Sequence, residues 1–196
     1  MKVHVRAISG NWTEGYALDK HTVKSVFVGY NAYGHPTFDT ERTEVGEAVH
    51  QLKYRHDFDQ VKPLAKALVR HIVPRFDKIG LVIPAPASTV RSRQPVDELA
   101  TEVARRIDVP LFDNIVVKSA VAANTGSLKN LNTKDEKEKA LAGRFVLQQT
   151  IQNSGYWNAL VIDDLHHTGA TLEAVCRTLS GYSKINNVYV AVLTWR

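Results

Sequence analysis

The stretch VIDDLHHTGATLEAV, residues 161–175, decides how the rest of the chain is read. An apolar run ends in two adjacent acids, Asp163 and Asp164, and a Thr-Gly-Ala-Thr turn then enters an amphipathic segment. That order describes a buried strand, a turn and a helix. Carboxylates at the lip of a buried strand are costly to desolvate unless something pairs with them, so a ligand is the first partner to seek. At the turn, Gly169 permits close approach, consecutive backbone N–H groups meet a helix N-terminus, and Thr168 and Thr171 add hydroxyl donors. Together they make a seat for a monophosphate. The Gly-x-x-x-x-Gly-Lys-Ser/Thr pattern of a nucleotide P-loop does not occur. Because the acids would repel a phosphate, they must face hydroxyls or a metal, and a ribose 5-phosphate meets both demands. The plainer alternative is a solvated strand end followed by a helix that Thr168 or Thr171 caps.

Outward from this stretch, NALVI (158–162) reads as a strand, TLEAVCRTLSGY (171–182) as a helix with Leu172, Val175, Cys176 and Leu179 inward, and NVYVAVLTW (187–195) as a closing strand. Upstream, GLVI (80–83) is a short strand stopped by Pro84 and Pro86. PVDELATEVARRI (95–107) is a helix with Pro95 near its start, and VPLFDNIVV (109–117) reads as the next strand. Repeated strand, helix, strand order predicts a parallel sheet with right-handed crossovers, whose ligands bind beyond the carboxyl ends of the strands. Asp163 and Asp164 lie at one such end and Pro84 to Arg93 at another. The polar stretch 118–140 is longer than a structural connection and predicts a lid, with RFVL (144–147) a short strand beyond it. Before the first sheet strand, ERTEVGEAVHQLKYR, read as helical from Thr40, and FDQVKPLAKALVRHI predict two helices. SVFVGYNAYGHP (25–36) predicts a strand running into a Gly/Pro turn.

With 196 residues the chain can bury an ordinary core, and its one cysteine, Cys176, excludes a disulfide framework or a cysteine-rich metal site. Cys176 is expected buried and inert, and Trp12, Trp157 and Trp195 are expected to pack. No stretch approaches the roughly 20 apolar residues of a membrane span, and no apolar signal core opens the sequence, which predicts a cytoplasmic protein without a membrane partner. The net charge of +5 is dispersed, and the Lys-rich run KNLNTKDEKEK (129–139) is diluted by acids. A nucleic-acid partner is thus the weaker reading, and modest positive charge serves equally to attract a phosphorylated small molecule. His166 and His167 are adjacent and point apart, so loop residues are expected there rather than a structural metal site.

VIDDLHHTGAT resembles the PRPP-binding signature of type I phosphoribosyltransferases. LVIPAPASTVRSRQPVDELA (81–100), VHQLKYRHDFDQVKPLAKAL (49–68) and KALAGRFVL (139–147) are similar to segments of the ComF-like branch. The paired cysteines of that branch's N-terminal zinc ribbon are absent, and Gln94 to Glu98 replace its Arg-Gly-Phe-Asn-Gln run. The resemblance spans about residues 45–196 and implies an α/β, Rossmann-like phosphoribosyltransferase fold, a mostly parallel sheet flanked by helices. Residues 1–44 would form a strand-rich hood. It implies Mg²⁺-dependent transfer of phosphoribosyl from PRPP to a nitrogen acceptor, with release of pyrophosphate. Asp163 and Asp164 would hold the ribose hydroxyls and the metal, and His166, His167, Thr168, Gly169, Ala170 and Thr171 the 5-phosphate. Ala85, Pro86, Ala87 and Ser88, with Arg91 and Arg93, would hold the pyrophosphate, and Lys118 or Lys129 would sit on the lid. His167 could exchange a proton, since imidazole titrates near neutrality. The alternative is a binding-only, ComF-like module in DNA uptake or handling; a homodimer is compatible with either.

Overall fold

The computed structural model describes residues 1–87, 89, 91–119 and 143–196. Its centre is a five-stranded sheet in the order β1 (Arg6–Ala7), β2 (Glu14–Lys20), β9 (Ile185–Trp195), β8 (Trp157–His166), β5 (Leu81–Pro84). β2, β9, β8 and β5 run parallel, and only β1 is antiparallel to its neighbour. The parallel strands therefore present their carboxyl ends, near Lys20, Trp195, His166 and Pro84, along one edge. The molecule is an α/β protein with a largely parallel sheet.

The period of two along each strand sorts the core into two layers. On β8, Leu160 and Ile162 join β9 residues Tyr189, Ala191 and Leu193 beneath α1 (Glu44–Tyr54), α2 (Val61–His71) and α3 (Pro95–Ile107). Ala159 and Val161 join Val188, Val190 and Val192 beneath α4 (Ala170–Leu179). A strand buried on both faces reads as an unbroken apolar run, which is why NALVI shows no alternation. Each side chain of this size, once fully buried, contributes about 1.5–3 kcal/mol, and Leu160, Val161, Ile162, Val190 and Val192 are all fully buried.

Three expectations need correction. VPLFDNIVV is not one strand: Leu111 makes a single parallel bridge to Val82, after which the chain bends at Asp113 and Asn114. Val116–Lys118 (β6) then pairs antiparallel with Phe145–Leu147 (β7). The polar Asp-Asn pair interrupts the apolar run and favours a turn. The helix expected from Thr40 begins only at Glu44, because Thr40, Glu41 and Arg42 complete β4 (Pro36–Arg42) opposite Ser25, Lys24 and Thr22 of β3 (Thr22–Tyr30). The Gly/Pro turn thus joins two strands of a hairpin, which carries exposed Phe27, Tyr30 and Phe38 in mutual ring contact. The first residues also reach the central sheet, since β2 pairs with β9 from Glu14 to Lys20. Cys176 is buried as expected, and burial pushes its thiol up to about 12. None of the helices among the described residues is long and apolar enough to cross a membrane.

Candidate functional site

β8 continues past its apolar run to His166, so the strand's period carries both acids. By parity Asp163 falls on the Val161 side, towards α4, and Asp164 on the Ile162 side, towards α1. The second placement meets a charge. Lys53, in the last turn of α1, reaches Asp164 Oδ2 at 2.6 Å, with the two side chains 28% and 15% exposed. Burial opposes the Lys53 ammonium, but the Asp164 carboxylate outweighs it, so its pKa is raised. A salt bridge this sheltered is costly to break from one side only.

Asp163 has no such partner. Asp164 donates its backbone N–H to Asp163 Oδ1 at 2.8 Å. Burial pushes the Asp163 carboxyl up to about 7, with the Asp164 charge adding to it. Two neighbouring carboxylates thus meet different surroundings, one paired with a cation and one pushed by burial towards its protonated form.

A relay beneath Asp164 holds the edge of the sheet. The Thr194 hydroxyl donates to the Asp164 carbonyl at 3.0 Å, so His21 Nδ1, 3.1 Å from Thr194 Oγ1, must carry a proton and donate to that hydroxyl oxygen. Burial, with Arg196 and Arg42 nearby, drives the His21 pKa down to about 4, which keeps the ring neutral and this tautomer in place. His21 also marks where α1 docks. Thr43 caps α1 by accepting from the Gly46 N–H at 2.9 Å and donates to the Lys20 carbonyl at 2.6 Å. A Cβ at Gly46 would lie 2.0 Å from the His21 carbonyl oxygen.

Between β8 and α4 the chain turns at His167 and Thr168, and Gly169 takes φ +77°, a left-handed conformation that glycine adopts at no steric cost. A Cβ there would also stand 2.9 Å from His166 Nε2. Neither Thr168 nor Thr171 caps α4; Gly169 is the cap residue, and among the described residues no side chain bonds the first-turn amides. The helix therefore starts with backbone N–H groups that no side chain has claimed, which suits an anion. His167 is exposed, Thr168 and Thr171 are partly buried, and Ala170 is buried.

β5 ends alongside β8, and the Ala85 N–H donates to the Ile162 carbonyl at 2.8 Å. That amide is spent within the sheet and Pro86 has none, so of the four loop residues only Ala87 offers an N–H among the described residues; Ser88 lies outside them. Lys118, at the end of β6, donates its Nζ to the Ala87 carbonyl, which brings one of the two candidate lysines to this loop. Burial lowers its pKa, with Arg144 contributing. Lys129 and most of the 118–140 stretch lie outside the described residues. Arg93 makes a two-point pair with Glu98, at 2.9 Å for each bond, and its guanidinium lies 3.8 Å from the Phe58 ring centroid. Arg91 has no ion pair among the described residues.

Sequence reasoning did not find Lys53, His21 or Thr194. A lysine beside Leu52 in a helix that must pack on the sheet was the one available signal, since a cation there has to meet an acid or reach water. Regarding a metal, among the described residues no three His, Cys, Asp or Glu side chains cluster to hold an ion unaided. A carboxylate at the strand end can offer one oxygen to a Mg²⁺ that takes its other ligands from water and a substrate, and at Asp164 such an ion would have to displace the Lys53 ammonium.

The pH dependence of stability separates the two buried groups. Asp163, raised to about 7, binds its proton more tightly in the folded state, so its contribution is present at low pH and is lost as pH rises from about 4 through 7. His21, lowered to about 4, acts the other way: its contribution is lost as pH falls from about 6.5 to 4. Asp163→Asn removes only the first effect. Denaturant titration should show the variant more stable than the parent at pH 8, by about 1–2 kcal/mol once partial solvent screening is allowed for. Between pH 4.5 and 6.5 its stability should rise with pH more steeply than the parent's. A variant weaker than the parent at pH 8 would mean that the Asp163 carboxylate is not penalised by burial.

No family model matches the chain, and no curated protein sequence matches it. Comparison with solved structures returns phosphoribosyltransferases. An adenine phosphoribosyltransferase is 13% identical with TM-score 0.45, covering 88% of this chain and 86% of that one. The hypoxanthine phosphoribosyltransferase of Staphylococcus aureus is 17% identical with TM-score 0.42, covering 71% of this chain and 65% of that one. The adenine phosphoribosyltransferase of Trypanosoma brucei, solved with AMP, pyrophosphate and ribose-5-phosphate, is 12% identical with TM-score 0.42, covering 96% of this chain and 87% of that one. Likenesses of this degree leave the functional reading to the residues themselves.

Proposed function

We propose that the chain binds PRPP with Mg²⁺ and transfers its phosphoribosyl group to a nitrogen acceptor. The observation that carries this reading is the junction of β8 and α4: two acids on opposite sides of one strand end, followed by a glycine-capped helix start with unclaimed amides. The 5-phosphate would lie on the N–H groups after Gly169, with Thr168, Thr171 and the exposed His167 at its rim. Asp163 and Asp164 would accept from the ribose hydroxyls. Ala87 and Lys118, on the neighbouring strand end, would face the pyrophosphate, with Arg91 able to swing towards it.

Transfer breaks the bond from C1 to the pyrophosphate oxygen and forms one from C1 to the acceptor nitrogen, which gives up a proton. The ring gains positive charge as the bond breaks, and two carboxylates beneath it favour that charge. Mg²⁺, which Asp163 or Asp164 would help to hold, would supply charge that offsets the negative leaving group. His167, exposed at the turn, would exchange the proton with solvent. For PRPP to use Asp164, the Lys53 bond must give way, so the cation in place would change from an ammonium to a metal.

That same bond favours a second reading, in which the pocket binds PRPP without turnover, as a ComF-like module in DNA handling would. Asp164 is already paired and Arg93 is held by Glu98, so the resting site is braced rather than open. Calorimetric titration with PRPP, with and without Mg²⁺, tests both. Micromolar binding that needs Mg²⁺, followed by pyrophosphate release in an acceptor screen, fits the transferase. Binding without release across nucleobases and amines fits the module, and no heat at millimolar PRPP rejects both.

A further inference from the structure

A cavity of about 290 Å³ lies beside the β8–α4 turn, on the side away from β5, between β1 and the end of β9. Its lining divides by exposure. Ile8, Trp195 and His166 are buried or partly so, whereas Arg6, His167 and Arg196 are open to solvent. The Arg6 guanidinium carbon lies over the Trp195 ring, 4.3 Å from its centroid. Among the described residues, no carboxylate lies within ion-pair distance of Arg6 or Arg196. Burial lowers the His166 pKa, and the buried Glu173 carboxylate opposes this by a smaller amount.

Among the described residues, two buried nitrogens of the lining, His166 Nε2 and Trp195 Nε1, have no hydrogen-bond partner. Buried polar groups are nearly always satisfied, and an exception calls for an absent partner. A cationic rim above an inner part built from an indole, an imidazole and an isoleucine selects an amphipathic anion. The volume sits at the lower end of small-molecule sites, enough for a single ring.

We propose that this cavity is a binding site for a small aromatic carboxylate, its acid group on the Arg6 and Arg196 guanidiniums and its ring against Trp195. The inference does not depend on PRPP use. It concerns the far side of the turn, and neither arginine has a role in the PRPP reading. Ligand-dependent tryptophan fluorescence and calorimetry on the full chain test it, with benzoate, its neutral isostere benzamide, and inorganic phosphate as probes.

Benzoate should bind saturably at millimolar concentration or below, and benzamide about tenfold more weakly or not at all, since charge-assisted bonds to Arg carry the affinity. Arg6→Gln with Arg196→Gln should weaken benzoate by about tenfold or more, while the chain stays folded and PRPP binding stays as in the parent. Three results overturn the proposal: no saturable benzoate signal, equal binding of benzamide, or benzoate binding that survives the double substitution. Phosphate binding that the double substitution leaves intact belongs to the α4 turn, and if phosphate alone binds, the proposal fails as well. Should PRPP fail to bind while benzoate binds and depends on the arginines, the function proposed above falls and this site stands.

Discussion

Asp164→Asn should leave a folded protein that no longer holds PRPP. The neutral amide cannot supply the charge-assisted acceptor, a loss of about 2–3 kcal/mol, which is roughly 30- to 150-fold in affinity. Stability should also fall, because Lys53 loses its carboxylate while remaining only 28% exposed. Removing one partner of a fully buried pair costs about 3–5 kcal/mol; partial exposure of both groups brings the expectation down to about 1–2 kcal/mol. Calorimetry with Mg²⁺ and PRPP, beside a urea titration of the same sample, reads both numbers. Unchanged affinity with reduced stability would make Asp164 a structural anchor for α1 and nothing more.

The largest effect on the fold should come from Gly46→Ala. The new methyl would stand 2.0 Å from the His21 carbonyl oxygen, a backbone atom that cannot rotate aside. Either α1 lifts or β2 shifts, and overpacking of this kind costs about 3 kcal/mol. Because α1 also carries Lys53, the same shift should loosen the Asp164 pair, so PRPP affinity should drop although residue 46 is remote from any ligand. Gly181→Ala provides the contrast: its methyl would meet the Thr178 carbonyl at 3.4 Å and Leu147 Cδ2 at 4.0 Å, both ordinary contacts, and the change should stay within about 0.5 kcal/mol. Equal denaturation midpoints for the two variants would rule out the close approach at Gly46.

Much of this architecture was legible from residues 158 to 195, where two apolar runs flank one amphipathic helix and strand, turn and helix each announce themselves within a few residues. The two acids were legible for the same reason, since a doubled aspartate at the end of NALVI has no packing explanation. What escaped were features fixed by distant pairing. β2 reads as a modest run, EGYALDK, and gains its place only because β9 offers a free edge from Tyr189 to Trp195. Lys53 lies 111 positions before Asp164, and no local pattern ties a lysine in one helix to an acid in another strand. Arg93 shows the converse: an Arg-x-Arg near a strand end suggested an anion, whereas Glu98, five residues on, satisfies it within the same segment.

Because consecutive side chains of a strand leave by opposite faces, the doubled aspartate is less a pair than a fork. One tine answers to the first helical layer through an ammonium, the other to α4 with no counter-charge of its own. The two still feel each other, since the Asp164 charge raises the Asp163 carboxyl and the Lys53 ammonium lowers it. A disturbance that draws α1 away therefore removes the direct partner of one acid and, through space, a favourable charge from the next.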